Sequence, residues 1–436
     1  MSATAATARP TPPVPAASQS GRAVAALAST VIWLLSRAVM GVLWYRREQF
    51  IDNDVRYYLW QSASGDIGSS LVEYPTPIAV FLGVLARVAG SSENTYVATF
   101  VALMFLLDAA ATIWLWTRFS RRAATYWATF TFLVGSLIWF RIDLIPAVTV
   151  LAGLVWLNRR PGSAGAAVAL GAATKLWPAV LVAPMLGVDR PGRRRGLGFL
   201  AAGGALGLVS LLLFGWERSA SPLVWQSDRG LQIESIPATW LMALRAFHPD
   251  SSHWLELSQY NAWEIYGPGV DAWLVVADVL MGLFVVLAVV LAWFIALGGA
   301  GLPGHSARAA ADPERSMART HAIVLAQTAL ICAVMVANKT FSPQYMIWLS
   351  GPLAVLVTLP VPRRQRIEAR WLGGLGLVVA ALTQLVFPLG YGGILADPPH
   401  VSTTLLLVGR NLLMIILTVA TATAALREAW RLGSVG

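Results

Sequence analysis

Two carboxylates open the chemistry of this chain, in the run Ile51-Asp52-Asn53-Asp54-Val55-Arg56-Tyr57-Tyr58 that follows the first long apolar stretch. Apolar surroundings raise a carboxyl's affinity for its proton and a neighbouring arginine lowers it, a combination suited to taking a proton from a hydroxyl. The same run also reads as an acidic loop in which Asp54 caps a surface helix. Arg141-Ile142-Asp143 stands between two apolar stretches, where a charged pair is costly unless it lines a wet cavity or satisfies itself. Lys175 and Lys339 are the two lysines of the chain. Each could hold a phosphate and stabilise it as a leaving group, or extend its ammonium to the membrane surface. In Asp228-Arg229-Gly230-Leu231-Gln232-Ile233-Glu234-Ser235, Arg229 offers a fork for phosphate, and Gln232 with Glu234 offers partners for sugar hydroxyls; an ordinary solvated loop would look the same. His248, His253 and His400 lack metal-ligand spacing, so no zinc site is expected. Asp108, Arg37 and Arg410 fall within apolar stretches and read as structural partners that the sequence leaves unpaired.

The elements that must position these residues follow from composition. The chain has 57% hydrophobic and 12% charged residues in 436, arranged in long apolar runs. That excludes a soluble globular protein. Backbone groups inside a bilayer must be satisfied internally, and the runs lack barrel-strand alternation, so the fold class is an all-α membrane bundle. The net charge of +10 resides in arginines of short loops, which reports topology and not a nucleic-acid partner. The single cysteine, Cys332, excludes an intramolecular disulfide.

Apolar stretches fall at 24–44, 97–116, 125–140, 144–157, 164–187, 196–216, 270–297, 320–337, 342–360, 371–391 and 402–426, with a weaker one at 77–90. Placing the loops that carry Arg118, Arg159, Arg190, Arg308 and Arg363 in the cytoplasm makes 164–187 cross twice, turning at Thr174-Lys175-Leu176-Trp177-Pro178. It also leaves 77–90 as an interfacial helix on the outer side. About a dozen crossings result, with both termini cytoplasmic. Residues 1–23 form a disordered cytoplasmic tail ahead of an uncleaved first anchor, and 24–436 form the membrane domain. Two outer loops, 45–96 and 217–269, exceed what a bundle needs and carry many Trp and Tyr residues, as an aromatic belt or a sugar-stacking surface would.

Together these landmarks resemble the GT-C superfamily of membrane glycosyltransferases. Asp52-Asn53-Asp54 before two tyrosines, Tyr74-Pro75-Thr76-Pro77, Arg141-Ile142-Asp143-Leu144-Ile145-Pro146, Ala173-Thr174-Lys175-Leu176-Trp177-Pro178 and Arg229 to Ser235 look like glycosyltransferase family 87. Asn338-Lys339-Thr340-Phe341-Ser342-Pro343-Gln344-Tyr345-Met346-Ile347-Trp348 is similar to a signature of the GPI-anchor mannosyltransferase family. The resemblance implies inverting transfer of a sugar, mannose before arabinofuranose or glucose, from a polyprenyl-phosphate donor to a lipid or glycan acceptor. Asp54 would be the base, and Asp52 a supporting carboxylate or weak ligand of a divalent cation, with no cofactor required. Lys175, Lys339 and Arg229 would neutralise the leaving phosphate. Arg141, Asp143, Gln232, Glu234, Gln344, Tyr345 and Tyr58 would bind sugar or acceptor. Some family 87 mannosyltransferases have a histidine where this chain has Ser342-Pro343-Gln344. A flippase or secondary transporter is the rival class, but its inverted repeats and midplane charges are missing, because the charges here gather at one membrane face. Arginine-rich, alanine-rich composition suits a bacterial cell membrane with the site on the periplasmic face.

Overall fold

The computed structural model describes residues 19–63, 65–90, 92–227, 229–248, 250–297 and 313–434. The greater part of the expected tail, residues 1–18, and the loop carrying Arg308 lie outside these residues; helix already begins at Gln19, before the expected first apolar stretch.

The chain is helical almost throughout. The first half holds α1 (Gln19–Arg47), α2 (Asn53–Ala63), α3 (Thr76–Ala89), α4 (Glu93–Trp114), α5 (Arg121–Val134), α6 (Leu144–Val155), α7 (Pro161–Ala172) and α8 (Arg190–Ser227). Then come α9 (Thr239–Phe247), strands β1 (Trp254–Leu257) and β2 (Trp263–Tyr266), α10 (Val270–Leu297), α11 (Pro313–Ala337), α12 (Ser350–Leu356), α13 (Arg363–Gln384), α14 (Tyr391–Leu395) and α15 (Val401–Ser434). Among the described residues, seven helices are long and apolar enough to cross a membrane. They lie in α1, α4, α8, α10, α11, α13 and α15. The other apolar stretches fold as shorter pieces because proline and glycine interrupt them. α5 ends at Gly135, whose φ of 88° is left-handed, and continues as a 3-10 turn over Ser136–Phe140. The 164–187 stretch divides where the sequence predicts: α7 stops at Ala172, a turn follows, and Trp177–Met185 forms a 3-10 helix containing Pro178 and Pro184. Pro343–Leu349 is likewise 3-10 before α12.

Packing follows residue size. α7 lies against α8 so closely that a Cβ at Gly165 or Gly198 would collide with the backbone of Arg195 or Gly162. Small residues permit such approach where helix association depends on van der Waals contact. Buried charge is compensated in place. Arg37 bonds Asp108 through Nε and Nη2 at 3.0 and 3.2 Å, and Asp108 also accepts from the Trp127 indole at 3.0 Å. These are two of the intramembrane charges that the sequence alone leaves unmatched.

Two ends of the bundle can be told apart by their contacts. At one, Arg195 bonds Leu157 O, Met185 O and Asn158, and Arg319 pairs with Asp189, joining the basic loops after α6, before α8 and at the start of α11. The turns at 141–143, 174–178 and 338–348 meet at the other. There the antiparallel β1–β2 hairpin and α9 pack with Leu231 and Ile233 against Ile394 and Leu407.

Candidate functional site

The turns of the second end surround a cavity of about 560 Å³. Asp54 enters it from the first turn of α2. The 3-10 turn over Gln49–Asp52 brings Ile51 O to Arg141 Nη1 at 2.8 Å, and Arg141 Nε then lies 2.9 Å from Asp54 Oδ2, without the alignment of a hydrogen bond. Among the described residues Asp54 Oδ1 accepts no hydrogen bond, so the carboxylate is oriented with one oxygen open. Arg141 itself is buried behind it.

Lys175 reaches the cavity from the turn after α7. Its ammonium bonds both oxygens of Asp143, at 2.8 and 3.0 Å, and lies over the rings of Tyr345 and Trp348 at 4.8 and 5.5 Å. Trp348 stacks between Trp177 and Tyr345, with centroids 4.5 and 4.1 Å away, and donates its indole N–H to Asp143 at 2.7 Å. Asp143 is thus the buried hub of a cation and aromatic cluster. Lys339 pairs with Asp278 of α10 at 3.2 Å, where Asp278 is 65% exposed in its side chain. Arg229 differs from both lysines in its partners. It lies over the Tyr260 ring at 5.5 Å, its Nε is buried without a partner, and among the described residues no carboxylate forms an ion pair with it.

Of the residues expected from the sequence, Asp54, Lys175, Lys339, Arg229, Gln344 and Tyr345 line the cavity. Arg141 and Asp143 lie directly behind it, bound to Asp54 and Lys175. The rest are not brought to it. Asp52 turns to Arg56, 3.0 Å away, which also pairs with Glu93. Asp52 and Asp54 are therefore held by separate guanidiniums, a donor set unlike a cation site, and among the described residues no three His, Cys, Asp or Glu side chains converge. Tyr58 is buried between Tyr74 and Phe100. Gln232 is buried too: its Oε1 accepts from Phe341 N, and its own N–H donates to Lys339 O at 3.0 Å. Glu234, 1% exposed, faces Arg410 of α15 instead of solvent. Arg410 sits over the Phe341 ring at 4.2 Å. Gln232 and Glu234 consequently brace the Lys339–Phe341 turn from behind. Burial pushes the Glu234 carboxyl up to about 7, against the opposing pull of Arg410.

The cavity also holds Glu73 and Asp278, which sequence reasoning passed over, and Tyr57 and Tyr260, which it offered only as loop aromatics of a belt or a sugar-stacking surface. Tyr57 shares a helix face with Asp54, a spacing that was legible, and donates its hydroxyl to Glu73 at 2.9 Å. Burial raises the Glu73 carboxyl above its ordinary range, opposed by the Tyr57 hydrogen bond and the Arg229 charge. One side of the wall is apolar, formed by Pro222 and Leu223 of α8, Ala277 and Met281 of α10, and Val334 and Ala337 of α11, while Gln259, Asn261, Asn338 and Ser342 add polar groups elsewhere.

An oriented carboxylate, a guanidinium that forms no ion pair among the described residues and an apolar flank suit a substrate that joins a charged group to a hydrocarbon chain. Comparison with known proteins gives the class. The sequence profile of glycosyltransferase family 87 matches residues 72–311, more than half the chain. No curated protein and no solved structure matches it.

Proposed function

The chain belongs to glycosyltransferase family 87, and from that premise we propose that it moves a sugar, mannose by preference, from a polyprenyl-phosphate donor to a hydroxyl of a lipid or glycan acceptor. The observation that carries this reading is that one cavity contains both Asp54, with an open oxygen, and Arg229, which forms no ion pair among the described residues. In the reaction Asp54 Oδ1 takes the acceptor's hydroxyl proton as the acceptor oxygen attacks the anomeric carbon. The bond from that carbon to the phosphate oxygen breaks, and its electron pair leaves with polyprenyl phosphate. A single displacement inverts the anomeric centre. Charge grows on the phosphate as the bond breaks, and a preorganised cation stabilises it there. Arg229 serves this purpose first, because Lys175 and Lys339 already have Asp143 and Asp278. Exposed Asp278 can release Lys339 to an arriving phosphate at little cost, whereas Asp143 keeps Lys175 within the aromatic stack.

The apolar wall of α8, α10 and α11 accommodates the donor's prenyl chain. The basic loops of Arg195 and Arg319 collect at the opposite end of the bundle, which supports a cytoplasmic placement for that end and a periplasmic one for the cavity. About twelve crossings satisfy this arrangement when the short helices and 3-10 segments are counted with the seven long ones.

The test is transfer from labelled polyprenyl-phosphate mannose to extracted lipid in membranes holding wild-type protein or Asp54→Asn. The variant is expected to lose activity by about 10²–10⁴-fold at equal abundance. An active Asp54→Asn removes Asp54 as the base, and a wild type that transfers neither mannose, arabinofuranose nor glucose returns the reading to a flippase.

A further inference from the structure

Glu73 reaches the cavity from residues 65–75, a series of turns without regular structure between α2 and α3. Such a segment would not hold a side chain in place by itself, and here one guanidinium gathers it. Arg218, in the part of α8 beyond Gly215, donates from Nε to Ile67 O at 2.9 Å and from Nη2 to Ser70 O and Leu71 O at 3.2 and 3.1 Å. Its Nη1 donates to Tyr74 O at 3.1 Å and to Ser221 Oγ at 3.2 Å, and Ser221 Oγ donates in turn to Val72 O at 2.7 Å. The carbonyls on both sides of Glu73 are thereby bound to one helix. Tyr57 fixes the carboxyl itself, and among the described residues it is the one side-chain hydrogen-bond partner Glu73 has.

The neighbours of this carboxyl define what would meet it. Tyr57 lies within electrostatic reach of Asp54, Glu73 and Arg229 together, and Glu73 within reach of Arg229. If the donor phosphate is on Arg229 and its anomeric carbon faces the hydroxyl activated by Asp54, the sugar ring occupies the space between, beside Glu73. Trp225 and Tyr260, packed edge to face at 5.1 Å, line the same cavity and offer the apolar surface that a sugar face requires.

We propose that Glu73, fixed by Tyr57 and positioned by Arg218, hydrogen-bonds hydroxyls of the transferred sugar and so determines which donor the enzyme accepts. This rests on the transferase reading above. A carboxylate that accepts from sugar hydroxyls discriminates strongly, because a sugar with a hydroxyl elsewhere leaves a buried acceptor unpaired. Glu73 makes no claim on the phosphate, and that separates its role from a general one in shaping the cavity.

The experiment uses the purified full chain and two readouts. One is KM for polyprenyl-phosphate mannose, glucose and arabinofuranose; the other is affinity for polyprenyl phosphate without sugar. Glu73→Ala is expected to raise KM for the preferred donor about tenfold or more, to narrow the preference among the three donors, and to leave sugar-free lipid affinity within about twofold of wild type. Tyr57→Phe, which keeps the ring and loses the hydroxyl, should move KM and preference in the same direction by less. Unchanged KM and preference in an active Glu73→Ala enzyme overturns the proposal alone. So does an equal loss of affinity for sugar-free lipid, which marks a collapsed cavity. A wild type inactive with all three donors overturns the transferase reading and this one with it.

Discussion

Glu73 and Glu234 are both drawn out of solvent in the segments that flank the cavity, and burial raises both carboxyls. Their settings differ in what remains for a ligand. Glu234 has an arginine of its own, 3.4 Å away at the heart of α15, and is closed off with it. Glu73 has a neutral hydroxyl and opens on the cavity, where Arg229 lies within electrostatic reach and forms no ion pair among the described residues. Compensation within the protein marks a structural carboxylate. Partial compensation at a cavity wall marks one held ready for a ligand.

Removing the compensation should show this difference most strongly. Above about pH 7, where Glu234 is ionised, Arg410→Leu leaves it buried without its cation and is expected to cost about 3–5 kcal/mol of stability, read as a fall in the thermal midpoint in detergent. Glu234→Leu combined with Arg410→Leu should recover most of the loss, since replacing both charges by apolar groups is close to neutral. A double variant as unstable as the single one would mean that the pair does more than balance charge.

The pH dependence is the next effect in size. Glu234 keeps its proton in the folded chain up to about 7, while the unfolded chain releases it near the ordinary 4.5. Between those values the unfolded state binds fewer protons, so stability falls as pH rises and levels off above the folded value, by no more than about 1.4 kcal/mol per pH unit. Glu234→Gln should flatten that slope in a melting series across the window. A slope unchanged in the variant would assign the dependence to other groups.

Arg218→Ala probes the cavity side of the comparison with a smaller effect. Loosening the Ile67–Tyr74 carbonyls should raise donor KM and narrow donor preference by less than Glu73→Ala, with sugar-free lipid still bound. A loss of thermal stability with donor preference intact would make Arg218 a fold residue without a role in positioning.

How much of this could be read from the chain alone depends on where each partner lies. Asp54, Lys175 and Lys339 were conspicuous because charge near the margin of an apolar run needs a reason, Arg229 because a guanidinium in a long outer loop offers a fork for phosphate, and the turn at Thr174 was legible from Pro178 and the basic loops on either side. Glu234 was read as a sugar ligand because its cation lies 176 residues away in a helix that gives no sign of facing it. Asp52 reads from the sequence as a carboxylate supporting Asp54, yet the 3-10 turn before α2 directs the two to different arginines. Glu73 was missed because its position depends on carbonyls gathered by Arg218 of α8, far along the chain, and carbonyls carry no signature in sequence. The short helices were harder to count as crossings than the seven long ones, since proline and glycine divide what hydropathy runs together.

The near-parallel indoles of Trp177 and Trp348, with planes 18° apart, have an optical consequence. Two chromophores at that separation couple their excited states, as Trp114 and Trp156 at 5.7 Å also do, so the contribution of this pair to the circular dichroism is the difference between wild type and a variant lacking one indole. Both indoles line the cavity, so a ligand entering it changes the field on the pair, and the amplitude of that difference would then report occupancy without a label. Trp177→Phe provides the blank spectrum.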